Sequence, residues 1–352
     1  MRYRKDPSLG LFSTEERMER LDTLGDPLRA LSRYVDFEFF RPRLESALYG
    51  DYDPSRGGQP PYDVILMFKL LVVQRLYNLS DDALEYQVTD RLSFQRFLGL
   101  SFAGSVPDSK TIWLFRERLQ QQDLVKCLFE EMNAQLLERG VIALSGQAVD
   151  ASFVDAPRRR DSKEEAAALR AGEEPASWRE KPSRGAQKDG DARWAKKGDE
   201  VHFGYKNHVM SDLESKLVSE YEVTAASVHD SQVLDDLTRG GLAREQELYA
   251  DSAYRGADQG KLLRRRGILS RVHYRAYRGR PLTARQKRLN KARSKRRARV
   301  EHVFGFMSNA MKGMTVRGRS LARNTAVIGL MNLTYNLCRL VQLKQHLRCN
   351  PA

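Results

Sequence analysis

Residues 147–156 read QAVDASFVDA, with Asp150 in the middle of the run. Small and β-branched side chains flank that aspartate at both strand parities, the pattern of a strand covered on two faces. A lone carboxylate in such a place costs several kcal/mol unless it is neutralised, densely hydrogen-bonded or bound to a cation. Two readings therefore stand: Asp150 is one ligand of a metal site, or it ends a shorter strand near solvent. Asp155 lies five residues on, and an odd offset turns it to the opposite face of a regular strand. Partners for Asp150 have to come from elsewhere in the chain.

Downstream, residues 157–200 are charged and poor in apolar side chains, a composition that predicts a mobile insertion without a packed core. Trp178 and Trp194 are its exceptions, free either to stack on bases or to fold back. VHFGYKNHVMSD and KLVSEYEVT then alternate as two strands joined by a turn at 213–215. VHDSQVLDDL reads as a loop entering a helix, with Asp230 or Ser231 as its N-cap. QELYADSAYRG gives a short buried strand ending at Asp251, followed by a helix through KLLRRRG and a strand at ILSRV. This order of elements predicts an α/β domain with a mixed sheet. Carboxylates at the carboxyl ends of such strands sit where these folds bind ligands, and two aspartates on neighbouring strands can share a divalent ion.

ARVEHVFGFM, residues 298–307, has helical apolar spacing with Val300, Val303, Phe304 and Met307 inward and Glu301 at the edge of the stripe. Upstream on the same expected helix stand Lys287, Arg288, Lys291, Arg293, Lys295, Arg296, Arg297 and Arg299. Such a run repels itself in isolation and suits a phosphate backbone lying along it. Arg297 precedes Glu301 by one helical turn, a spacing that also suits an ordinary intrahelical ion pair.

Before the Asp150 strand the pattern is helical from Ser13 to about residue 140. Pro61 precedes the apolar YDVILMFKLLVVQRLYN, Ser80 to Asp82 open a second helix, and Asp108 or Ser109 a third. Two short helices and a capped third fit a helix-turn-helix reader of DNA, or ordinary packing with Trp113 and Phe115 as core anchors.

The whole chain has 352 residues, with 60 Lys and Arg against 46 Asp and Glu, a formal charge of +14. That excess favours a polyanionic partner, nucleic acid before an anionic membrane. The opening MRYRKDPSLGLF has no apolar signal region, and Asn332, Thr334 and Asn336 interrupt the most apolar C-terminal run. The expectation is a cytoplasmic protein without a membrane anchor. Cys127, Cys338 and Cys349 are odd in number and far apart, which fits a reducing compartment, and the six histidines form no zinc pattern. Any metal is expected on oxygen ligands.

AVDASFVDAP, HFGYKNH, VTAASVHDSQVLDDL, YADSAYRG and RRARVEHVFGFM together resemble the DDE transposases of bacterial insertion sequences, most of all the insertion-sequence-five group. The N-terminal helices also resemble that group, so the likeness spans nearly the whole chain. It implies a ribonuclease-H-like catalytic domain over 141–352 after an all-helical domain over 1–140 for end binding or dimerisation. It places the catalytic, metal-holding triad at Asp150, Asp251 and Glu301. The group's Y-x2-R-x3-E-x6-K motif is matched at Arg297 and Glu301. Ser294 stands at the tyrosine position and Ser308 at the lysine position, with Lys312 one further turn along. The resemblance also implies two Mg²⁺ ions, with Mn²⁺ as a substitute, acting on the terminal inverted repeats and then on target DNA. It implies a homodimer on DNA in the bacterial nucleoid. Lys206, Arg255 and the basic run 287–299 would hold phosphates. The rival readings are a DNA-binding relative without catalysis and a nuclease that cuts without joining.

Overall fold

In the computed structural model the described residues are 13–349, apart from 51, 54, 56, 102–103, 159–160 and 242–243. The opening stretch read above for a signal region lies wholly outside them. The chain groups into two compact units: one of the described residues up to 74 with 79–116 and those from 340 on, the other of 75–78 and 117–339.

The first unit is helical. It contains α1 (Ser13–Thr23), α2 (Pro27–Tyr34), α3 (Arg41–Tyr49), most of α4 (Val64–Leu76), α5 (Asp81–Asp90), α6 (Leu92–Leu98) and the start of α7 (Ser109–Gln121). Its starts are chemically marked. Asp63 accepts from the amides of Ile65 and Leu66, Ser80 from that of Ala83, and Asp108 from that of Thr111, each satisfying donors that a helix leaves open. Phe37, Phe40, Phe68 and Phe97 pack edge-on or tilted in the core, with Phe37 and Phe97 centred 5.6 Å apart. Of the two expected anchors only Phe115 is buried; Trp113 is 45% exposed.

The second unit is built on a six-stranded mixed sheet. After α8 (Leu124–Glu138), β1 (Gln147–Asp155) runs through its centre, antiparallel to β3 (Glu200–Asp212) in unbroken register from Gln147 opposite Asp212 to Asp155 opposite Gly204. Gly204 has φ +150°, and a Cβ there would stand 2.3 Å from the Val154 carbonyl oxygen, so only glycine permits this close crossing. On the far side of β3, β2 (Arg193–Lys197) pairs with its beginning and β4 (Val218–Ala225) with its remainder. On the other side of β1, β5 (Glu247–Tyr249) and then β6 (Leu269–Ser270) are parallel neighbours. The mixed sheet expected from the sequence is thus present.

Helices cover both faces. Val149, Met210 and Leu248 meet α12 (Leu234–Leu237) and α13 (Ala257–Arg265) in one apolar cluster. On the opposite face α16 (Leu321–Cys349) is tied to the sheet by polar groups: Asn332 and Asn207 exchange amide hydrogen bonds, and Asn336 binds Val218 at both its backbone N–H and carbonyl. The residues that interrupt the apolar run are all fully buried, and Asn332 and Asn336 among them are cross-links to the sheet. Among the described residues no helix is long and apolar enough to cross a membrane. The side chain of Asn133 on α8 also donates to the Val218 carbonyl, and α8 groups with the sheet.

The segment 157–200, expected to lack packed structure, carries α9 (Lys163–Ala171), α10 (Ala176–Glu180), α11 (Pro182–Gly185) and β2. Its centre is polar. Glu165 is 1% exposed and accepts from Ser177, Trp178 and Lys188 as well as the Ser162 amide. Burial alone would raise its carboxyl, but these donors prevail and hold it down at about 2. Trp178 therefore folds back, while Trp194 stays 47% exposed beside Phe203.

The helix expected through Arg297 and Glu301 is two helices, α14 (Ala284–Arg297) and α15 (Glu301–Asn309). From Arg299 to Val303 the amides make tighter i to i−3 bonds, such as Val300 N–H to the Arg297 carbonyl at 3.0 Å. Val300, Val303 and Met307 are buried as expected, and Phe304 is only half-buried.

Candidate active site

Asp150 lies mid-strand, so the reading in which the strand ends there falls away. β1 and β5 are in parallel register, Gln147 beside Leu248 and Ala148 beside Tyr249. Carrying the same offset two residues further sets Asp251 level with Asp150. Asp251 leaves β5 to cap a short turn at Ser252–Tyr254, accepting the Ala253 amide at 2.8 Å. Burial pushes the Asp150 carboxyl above its ordinary range, and the charge of Asp251 adds to that push; Arg297 and the Ala151 amide oppose it.

Glu301, the third expected carboxylate, is 60% exposed at the start of α15. It reaches Asp150 through Arg297, whose guanidinium donates to Asp150 Oδ2 with one nitrogen and to Glu301 Oε1 at 3.1 Å with the other. The three residues are thus brought into one neighbourhood, with Arg297 bridging two of them. Among the described residues no three carboxylate, imidazole or thiol groups already converge as a metal cluster. The donor chemistry at Asp150 and Asp251 nonetheless suits a hard divalent cation, being all oxygen and carrying two like charges side by side.

Several groups at this site escaped the sequence. Tyr254 is 1% exposed, and its hydroxyl has no hydrogen-bond partner among the described residues. Burial, then the charges of Asp230, Asp150 and Asp251, raise its pKa well above the ordinary value, so the hydroxyl keeps its proton. His273 is pushed down by burial and Arg297 while Asp251 opposes, and its Nε2 lies 3.4 Å from Ser294 Oγ, at the position where the resembling motif has tyrosine. Asp230, expected to cap a helix, instead pairs with Lys206 at 2.8 Å; His229 takes the cap and accepts the Ser231 amide. The tyrosine three residues after Asp251 was a visible signal, but a missing partner is a property of three dimensions.

The expected phosphate-holding residues divide. Lys287, Arg288, Lys291, Lys295 and Arg296 are exposed along α14, which packs against β1 and β5. Arg293 is half-buried with Arg255 around Tyr274, and Lys206 is engaged by Asp230 and the Val228 carbonyl. Lys312 is exposed at the end of α15 with its ammonium over the Tyr77 ring.

Two family models match the chain: a transposase domain (DUF772) over residues 15–118 and a transposase DDE domain over residues 143–337. The second covers more than half of the chain. The chain belongs to the DDE transposases. This transposase is also similar to a piggyBac transposase solved in a synaptic complex with hairpin DNA, at 11% identity and a TM-score of 0.44 over 92% of this chain and 76% of that one. DNA is the substrate and partner of the family, and its members generally use divalent metal ions.

Proposed function

We propose that this transposase cuts DNA at the two ends of its own element and joins each freed 3′ end to a target, with Asp150, Asp251 and Glu301 as the catalytic carboxylates. The observation that carries this reading is the parallel register of β1 and β5, which, carried two residues past Ala148 and Tyr249, sets Asp251 just beyond the end of β5 level with Asp150 in the middle of β1. Asp150 and Asp251 would hold the metal, and Glu301 is the third donor, now paired with Arg297. Divalent ions supply charge stabilisation at phosphorus and lower the pKa of water.

Both steps are displacements at phosphorus. In the first, a water oxygen bonds to phosphorus, the bond to the 3′ oxygen breaks, and a 3′ hydroxyl and a 5′ phosphate result. In the second, that 3′ hydroxyl bonds to a target phosphorus and a target 3′ oxygen leaves, so the number of phosphodiester bonds is conserved. The carboxylates have to be ionised to act as ligands, a state that burial of Asp150 opposes and cations favour. Two ends need two such sites, and we take the DNA complex to be a homodimer.

The test uses labelled DNA carrying both flanks of the gene, a target plasmid, and Mg²⁺ or Mn²⁺ against EDTA, with Asp251→Asn in parallel. Metal-dependent cuts at defined ends plus joined product, both lost in the variant, are expected. Cuts without joining would mean a nuclease, and binding without cuts a DNA-binding relative. A scattering mass of one chain on paired ends would remove the dimer.

A further inference from the structure

Three residues past Asp251 the chain enters a pocket of about 600 Å³ lined by α13, β6, residues 271–274 and Arg293 of α14. Its charged lining residues are Arg255, Lys261, Arg264, Arg271 and Arg293, and among the described residues no acidic one lines it. Arg271 is answered by Glu247 at 2.7 Å and Lys261 faces Asp258 at 3.5 Å. Arg255 and Arg293 have no carboxylate partner among the described residues. Their N–H groups go to backbone carbonyls, Arg255 to those of Val272 and His273 at 3.3 and 3.2 Å, and Arg293 to that of Val272 at 2.6 Å. Both guanidinium carbons also lie against the Tyr274 ring, 4.5 and 4.6 Å from its centre.

Two like charges converging on one carbonyl and one ring lack a counter-charge, and a fixed planar fork beside an aromatic ring is the chemistry that holds a nucleotide phosphate. The volume falls in the range of pockets that enclose one small ligand, and a duplex cannot enter it. Tyr254, three residues past Asp251, lines this pocket, and α14 supplies both Arg293 to the pocket and, one turn on, Arg297 to Asp150, so the pocket lies beside the carboxylate site.

We propose that the pocket holds one nucleotide of an unpaired DNA strand leaving the carboxylate site, its phosphate between Arg255 and Arg293. This deepens the transposition reading and rests on it.

The probe is a fluorescein-labelled ten-nucleotide oligothymidylate, compared with a blunt duplex of arbitrary sequence, both titrated by anisotropy in EDTA so that no cleavage enters. Arg255→Ala and Arg293→Ala are each expected to weaken the single strand about tenfold and the duplex less than about twofold. Gly260→Leu fills the pocket without removing a cation: a Cβ there meets only the tip of Arg264, at 3.9 Å. It is expected to give the same selective loss, and it decides the matter should the arginine variants melt early. Unchanged single-strand binding by Gly260→Leu, or equal loss of both DNAs in the arginine variants, would overturn the pocket. Failure of the transposition reading looks different: the strand still binds selectively, and no ends are cut when metal is added.

Discussion

Two single side chains report on what burial does here. His208 is fully buried, its Nε2 lies 2.9 Å from Thr224 Oγ1 and its Nδ1 has no partner among the described residues. Burial pushes the imidazole down to about 4, with Lys206 adding to the push and Asp230 opposing it. The folded protein keeps His208 neutral where the unfolded chain, near 6.5, already takes a proton. Its contribution is therefore present above about pH 6.5 and lost as pH falls towards 4, an upper bound of about 3 kcal/mol. Denaturant melts between pH 4.5 and 7 are expected to show this slope, and His208→Gln to flatten it. The Tyr254 hydroxyl, buried without a partner, leads to the opposite sign from most core truncations. In metal-free protein Tyr254→Phe is expected to stabilise by about 1 kcal/mol, about 2 °C in Tm; a fall in Tm would mean that the hydroxyl has a partner after all. Asp150 and Asp251 were legible because carboxylates stand out among apolar neighbours, whereas the meaning of Tyr254 and His208 depends on which atoms surround them.

At the scale of elements, packing overrides local preference in ways that can be measured on two glycines. Helix propensity alone favours Ala over Gly by about 1 kcal/mol. In α15 a Cβ at Gly305 meets nothing within 4 Å, so Gly305→Ala is expected to raise Tm. In α16 a Cβ at Gly329 would stand 2.3 Å from the Tyr221 hydroxyl and 2.9 Å from Val125, and Gly329→Ala is expected to lower stability by about 1–3 kcal/mol despite the better helix former. Equal shifts in the two melts would refute this account of the α16 contact. The same precedence of packing explains what the sequence did not disclose. The succession of strands and helices after residue 200 followed from alternation and turn residues, but the segment 157–200 was read from its lack of apolar side chains. Its structure is organised by the buried carboxylate of Glu165, and polar cores leave no periodic trace. Likewise the break between α14 and α15 falls at Ala298–Val300, where neither glycine nor proline announces it.

For the molecule as a whole, charge is distributed with a purpose that composition only hinted at. α14 has no buried residue and no acidic residue, and a capping box between Thr283 and Gln286 secures its start. A helix with so little packing of its own and so much like charge is self-repelling, and a polyanion relieves that repulsion. If Lys287, Arg288, Lys291, Lys295 and Arg296 each neutralise one phosphate, duplex affinity should fall with salt at a log–log slope of about −4 to −5. Replacing Lys291 and Lys295 by alanine is then expected to make the slope shallower by about 2 and to weaken all duplex sequences alike. It should leave the single-strand preference of the Arg255 and Arg293 pocket in place. The same double variant removes two like charges from free α14, so its Tm without DNA should hold or rise. An unchanged slope would place the duplex on another face of the protein, and the basic helix would then be a solvated arm.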